Sequence, residues 1–458
     1  FTSFDLKWKN TVGSLRWNHL FSKSLFLNTT LTYSNYGYEF STQNDILRVY
    51  PESNNYELFV IDSRSSNIDM GFKMDFDAQI SNKHKFRFGL QHNYRNFKPQ
   101  FYFYKETVIN ASEHPELEPY NFISHYDSLH FPIYQISESA VYFEDHVKVN
   151  RFYINWGARL TSFIHEESQF FNIEPRILLK QLLNEKMTLS LAINRRMQYL
   201  HLIANPSLQL PTDLWLPSSN HLKPQELYEA ELAFQYRPIK YLKINTTAYY
   251  RHTNNLYSYP ENITILFETN DYSSYDYLEN GNGTSKGIEL FADYADEKRG
   301  VLFTYTLSKT TRQFDSINLG NSFASHFDSR HQITLAYHQN ISSKFKFGAT
   351  WIFNSPTPKV NIIQLSSDGN NPIIGEDPLG EKNKTRGTVY NRIDLNFQFN
   401  HVGKRMQHTI KFGVYNMLNT RNVAFYEITN VDAAGNIITT SPLYSLPIQP
   451  SFSYRIGF

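Results

Sequence analysis

Ile68-Asp-Met-Gly-Phe-Lys-Met-Asp-Phe-Asp-Ala-Gln-Ile80 alternates without a break. Met70, Phe72, Met74, Phe76, Ala78 and Ile80 fall on one side, and Asp69, Gly71, Lys73, Asp75, Asp77 and Gln79 on the other. Successive side chains of a β-strand point to opposite faces, so this stretch has one apolar face and one wet face. The pattern recurs along the chain. Ile393, Leu395, Phe397 and Phe399 alternate with Arg392, Asp394, Asn396 and Gln398, and Met187, Leu189, Leu191 and Ile193 with Thr188, Ser190, Ala192 and Asn194. Phe345, Phe347, Ala349, Trp351 and Phe353 read the same way, as do Phe152, Ile154, Trp156, Ala158 and Leu160.

A soluble β-sandwich also alternates, and three features separate this chain from one. The segments run for roughly 10–17 residues, where an ordinary strand has ~5–6 and a tilted membrane strand needs ~9–11. The wet faces carry full charges such as Asp69, Lys73 and Asp75, as a polar lumen permits. Connections alternate between short and long. Ser22-Lys23, Ser81 to His84, Asn184 to Lys186, Ser342 to Lys344 and Val402 to Arg405 are short polar turns. Between them lie Lys105 to Ile133, Ile203 to Lys223, Tyr257 to Gly281, Asn361 to Gly387 and Asn422 to Pro447. Short inner turns and long external loops are the pattern of an outer-membrane barrel.

Composition agrees. Phe (36), Tyr (32) and Trp (5) make up 16% of 458 residues, yet mean hydropathy is −0.48. Aromatics facing lipid, with a polar lumen and polar loops, reconcile the two. No run approaches the ~18–20 apolar residues of a membrane-spanning helix. A net charge of +1 with no basic block gives no sign of a nucleic-acid partner, and the lack of cysteine excludes disulfides and thiolate metal sites. The expected fold is therefore all-β, a transmembrane antiparallel β-barrel in a bacterial outer membrane. It has about seventeen strands, the first near Val12 to Phe21. An odd count leaves an open edge, which predicts further strands upstream of Phe1.

The candidate sites are on the loops. Tyr257, Tyr259, Phe267, Tyr272, Tyr275 and Tyr277 stand among Glu261, Glu268, Asp271, Asp276 and Glu279. Flat rings with carboxylates suit a carbohydrate, a peptide, a cationic ligand or a protein partner, and equally an interfacial girdle with a solvated loop tip. Trp215, flanked by Leu214, Leu216 and Pro217, needs a cover: another loop, lipopolysaccharide or a surface lipoprotein. His125 and His130 share a long loop with His114, Glu113, Glu116 and Glu118, where a metal or siderophore contact competes with a solvated polar loop. No cofactor or metal site is expected. His-Glu-x-x-His spacing is absent, and Asp368-Gly-Asn-Asn371 lacks the order of a calcium loop. Gly281-Asn-Gly-Thr-Ser-Lys-Gly287 looks like a phosphate loop, but a strand pattern follows it rather than a helix. No nucleophile elbow appears, so no enzyme is expected. The C-terminus places Phe452, Tyr454, Ile456 and Phe458 on one face and stops on an aromatic, a form that suits recognition by the barrel-assembly machinery.

Several stretches in order resemble a TonB-dependent receptor barrel of the Bacteroidetes, SusC-like type. They are Ser14 to His19 with Thr32 to Tyr36; Ile173-Glu-Pro-Arg176; Leu210 to Pro217 with Leu222 to Gln225; Ser285 to Leu290; Phe327-Asp-Ser-Arg-His331; and Tyr390 to Leu395. The resemblance implies a barrel of about 22 strands closed by a plug. Residues 1–458 would then form a single, incomplete barrel domain, strands 6 to 22, with the plug and its TonB-contacting segment upstream. It implies energised uptake of a siderophore, glycan or peptide. Two alternatives stand beside it: a scaffold barrel in a complex with surface lipoproteins, and a passive porin.

Overall fold

A computed structural model describes residues 2–49, 54–110, 121–122, 126–129, 133–203, 214–258, 278–358, 362–367, 372–376, 383–431 and 437–458. Seventeen long strands form one sheet. They are β1 (Thr2–Ser22), β2 (Leu25–Val49), β3 (Asn54–Gln79), β4 (His84–Asn110), β5 (Tyr134–Val149), β6 (Phe152–His165), β7 (Ser168–Leu182), β8 (Met187–Gln198) and β9 (Gln225–Ile239). Then come β10 (Leu242–Ser258), β11 (Glu279–Ala295), β12 (Arg299–Phe314), β13 (His331–Asn340), β14 (Phe345–Asn354), β15 (Tyr390–Val402), β16 (Gln407–Tyr415) and β17 (Gln449–Gly457). Every pairing is antiparallel and follows chain order. Among the described residues β1 and β17 have a partner on one side only. The seventeen long strands thus form a single continuous wall, not two stacked sheets, and Leu200–Ile203 with Leu214–Pro217, Ile362–Ser367 with Pro372–Glu376 and Val423–Val431 with Ile437–Tyr444 pair as separate two-stranded ribbons. No described helix is long and apolar enough to cross a membrane.

Register sorts the two faces. On one face Leu160 lies opposite both Val141 and Ile173, Ile193 opposite Ile177 and Ala230, and Leu232 opposite Leu191 and Ala248. The same face continues through Phe303–Leu335–Trp351–Ile393 and Phe347–Phe397–Phe412–Phe452. Val141, Leu160, Ile173, Ile193, Leu232, Phe412 and Phe452 are exposed, and Phe303, Leu335, Trp351 and Ile393 are partly so. With about four or five such positions per strand at intervals of ~6.7 Å, the apolar band covers roughly 20–27 Å along each strand, comparable to the apolar belt of an outer-membrane barrel. Side chains on the opposite face reach over whole strands. Tyr142 on β5 donates its hydroxyl to Asp75 on β3, and Arg159 on β6 donates to Gln91 on β4 at 3.2 Å. Contacts of that reach mark the concave, inner side.

Two glycines make room for this inner layer. A Cβ on Gly89 would stand 2.9 Å from the Tyr142 ring, and one on Gly287 would stand 2.8 Å from the Tyr249 hydroxyl. Gly281 to Gly287 lie inside β11, so the phosphate-loop look-alike is extended strand.

Strands β2 to β4 are 25, 26 and 27 residues long, beyond the 10–17 read from the sequence. Apolar alternation reports only the part of a strand that meets lipid. Above it, the strands go on pairing without that alternation, as at Asn44–Phe59 and Asp62–Tyr102. For the same reason β1 starts well before Val12.

Candidate functional site

The inner face of β3 to β10 is a mesh of paired charges. Arg95 joins Asp69 (3.0 Å) and Glu138 (2.7 Å), while Asp77 meets Lys85 (3.0 Å) and Arg87 (3.1 Å). Asp75 meets Lys73 at 2.9 Å besides accepting from Tyr142. Arg176, from the Ile173-Glu-Pro-Arg176 motif, pairs with the buried Glu144 across β6. Glu229 takes hydrogen bonds from Asn194 (3.0 Å), Arg196 (2.8 Å) and Arg251 (2.5 Å), and Arg251 also reaches Glu231 at 2.9 Å. Alternation in the sequence places Asp69, Lys73, Asp75 and Asp77 on the wet face, and strand register supplies their partners. A polar concavity of about 280 Å³ opens between Arg16, Asn28, Thr30, Lys73, Asp75 and Gln91.

The external rim is held by buried networks. Asp328, whose side chain is fully buried, accepts Arg386 at 2.6 Å, Arg330 at 3.0 Å and the Thr310 amide at 2.7 Å. It thereby ties the β12–β13 connection to the segment before β15, and this is the role of the Phe327 to His331 motif. In the Tyr390 to Leu395 motif, Arg392 lies 4.5 Å from the Tyr415 ring centroid and 3.1 Å from Asp394. Asp394 accepts the Asn416 amide at 2.9 Å, and Asn422 accepts that of Asn391 at 2.8 Å.

A second anchor is apolar. Leu200–Ile203 pairs with Leu214–Pro217 as a hairpin. One of its faces, with Ile203 and Leu216, is buried against Tyr134, Ile136, Phe163, Tyr199, Leu222 and Tyr257. Ile136 and Phe163 share the inner face with Tyr142 and Arg159, so the hairpin folds over the inner side of the wall. His201 lies fully buried in this cluster. The Gln225 amide donates to its Nδ1 at 3.3 Å, which leaves Nε2–H to donate to the Ser218 hydroxyl at 3.0 Å. Burial in an apolar surround pushes its pKa down to about 4.

Trp215 sits on the other face of this hairpin, opposite Leu202, and is 41% exposed. Tyr257 behaves otherwise. It is 7% exposed, stacks edge-on to His201 at 5.1 Å, and its hydroxyl accepts from the Lys223 amide (2.8 Å) and Asn280 (3.1 Å). Its ring is therefore packed within the rim and not displayed at the loop surface. Tyr259, Tyr272, Tyr275, Tyr277, Asp271, Asp276, His125 and His130 lie outside the described residues. On β17, Phe452, Tyr454 and Ile456 face outward opposite Phe412, Ile410 and His408, and Phe458 follows fully exposed. No cluster of three or more His, Asp or Glu suited to a metal occurs among the described residues.

A lipid-facing belt around a charged concave wall with an anchored rim is the architecture of an outer-membrane receptor barrel. Residues 1–417 match the family described as TonB dependent receptor-like, beta-barrel, and the chain belongs to that family. Solved structures share the fold. The ferric preacinetobactin receptor BauA of Acinetobacter baumannii superposes with a TM-score of 0.61 at 10% identity, over 99% of this chain and 63% of that one. FpvA of Pseudomonas aeruginosa, bound to heterologous pyoverdines, gives 0.62 at 12%, over 98% and 55%. The siderophore receptor PiuA of A. baumannii gives 0.62 at 11%, over 98% and 64%. The chain spans between about half and two thirds of the length of these relatives. No curated protein matches the sequence.

Proposed function

We propose that this chain is the wall and external rim of an energised outer-membrane importer for a solute too large or scarce to diffuse through a pore. The observation that carries the reading is the matched-charge inner face under a tethered rim, in a chain of this receptor family. A dense mesh of fixed charges suits a wall that packs against another polar body and releases it. Closing strands, a plug and TonB belong to the same proposal. Among the described residues β1 and β17 are each paired on one side only, and in a closed barrel the other side is paired as well. The solute is a siderophore, glycan or peptide; the structural neighbours named as siderophore receptors favour the first. Trp215, Tyr259, Tyr272, Tyr275, Tyr277, Asp271, Asp276, His125 and His130 are the proposed external contacts. Phe452, Tyr454, Ile456 and Phe458 are the proposed assembly signal.

The full-length protein, purified from outer membranes, is the material for the test. Mass spectrometry of what it retains should find a small molecule, and uptake of that molecule by cells should stop when the proton gradient is collapsed. Uptake that continues without the gradient would make it a porin. A firmly held surface lipoprotein with no small molecule and no uptake would make it a scaffold.

A further inference from the structure

The outer faces of β10 to β13 carry no carboxylate. Upward from the inner turn, β11 presents Tyr294, Ala292, Leu290, Ile288 and then Lys286, while β12 presents Val301, Phe303, Tyr305, Leu307 and then Lys309. Register sets Lys286 directly opposite Lys309, where side chains of an antiparallel pair stand ~5 Å apart at Cβ and like charges destabilise. Both are exposed. Among the described residues neither makes a hydrogen bond, ion pair or ring contact. Tyr250 flanks Lys286 on β10, and His252, also on β10, and His331 on β13 are the other titratable groups at this level. The remaining outward groups above the lysines are Thr284, Asn282, Thr311 and Gln313. Asp328, the carboxylate of the adjoining β12–β13 connection, is buried and already bound by Arg330 and Arg386.

We propose that Lys286 and Lys309 together grip a phosphate of a lipid headgroup in the outer leaflet, from the outside of the wall. Their position decides between lipid and soluble anion. Ile288 and Leu307, immediately below, are half-exposed apolar groups at the top of the belt, placed to meet the acyl chains of the same molecule. Tyr250, an amphipathic ring at the same height, suits the headgroup boundary. The lysine of the phosphate-loop look-alike thus meets phosphate as half of a cross-strand pair, with no loop or helix end involved. The outer belt alone carries this inference, so a failed transport test leaves it standing and its own failure leaves the transport reading intact.

The test uses the full-length protein in detergent with three probes: bisphosphorylated lipid A, the same lipid stripped of both phosphates, and inorganic phosphate. Binding is read by native mass spectrometry and by the rise in Tm. Wild type should prefer the phosphorylated lipid. K286Q/K309Q should bind it about 30-fold more weakly, some fivefold per lysine, and K286R/K309R should bind as wild type does. The single variant K286Q, about fivefold weaker, serves if the double variant does not assemble. Equal binding by wild type and the glutamine variants overturns the proposal. So does equal affinity for the stripped lipid. Stabilisation by inorganic phosphate at matched concentration reassigns the lysines to a soluble anion and overturns the lipid assignment.

Discussion

The inner faces of β3–β7 and β12–β14 line the same wall and differ sharply. In the first, Asp69, Asp75, Asp77, Arg87, Arg95, Glu138, Glu144 and Arg176 face one another across strands. In the second, Thr304, Thr306, Ser308, Thr310, Thr334 and Thr350 present hydroxyls, with Gly348 and Ala336 between them. Their outer faces are alike: Val141, Leu160 and Ile173 in one region match Phe303, Leu335 and Trp351 in the other. Hydrocarbon constrains only the side it touches. The side facing the lumen is free to carry either chemistry, and there a solute or plug can be distinguished.

The contrast predicts a large asymmetry between faces. Leu232→Lys puts an ammonium into the apolar belt and should cost about 3 kcal/mol, whereas Thr306→Lys on the inner face should stay within about 0.5 kcal/mol of wild type. Equilibrium urea unfolding in lipid vesicles measures both; equal costs would reverse the assignment of the faces. Next in size is the rim. Asp328→Ala leaves the Arg386 guanidinium with only the Asp328 and Pro356 carbonyls and should destabilise the rim by about 2–3 kcal/mol. Hydrogen exchange at the Thr310 and Gly387 amides should rise, while that of β5 and β6 stays constant. Rapid exchange across the whole sheet would show the tether to be part of the wall's own stability.

The smallest effect is set by pH. His201 is held neutral with its pKa lowered to about 4, against 6.5 for an unburied ring. As pH falls below 6.5 the opened hairpin takes up a proton before the closed one does. Stability is therefore full above about 6.5 and declines as pH drops toward 4. Between pH 7.5 and 5 the opening free energy of Leu200–Pro217 should fall by roughly 2 kcal/mol, at ~1.4 kcal/mol per pH unit. Hydrogen exchange as a function of pH tests this, and His201→Gln should flatten the profile. A slope that survives in His201→Gln would assign the effect to another group.

Much of the wall is legible in the sequence. Ile68 to Ile80 alone separates Phe72 and Phe76 from Lys73 and Asp75, and the short turns fell where the strands reverse. The rim is less so. Tyr257 reads as a loop aromatic, yet it is buried, because the hairpin that covers it, Leu200–Ile203 with Leu214–Pro217, comes from far earlier in the sequence. Phe327 to His331 is visible as a motif without its reason, since Arg386, which binds Asp328 alongside Arg330, is 58 residues away.

By itself the sequence determined the period of two, the apolar band and therefore the membrane as surroundings, because the direction of a strand's side chains is a local property of its backbone. Only the tertiary structure decided which inner charges meet, which rim aromatics are buried and which two lysines stand side by side outside. Those depend on strand register and on the curvature of the sheet, and no single strand contains either.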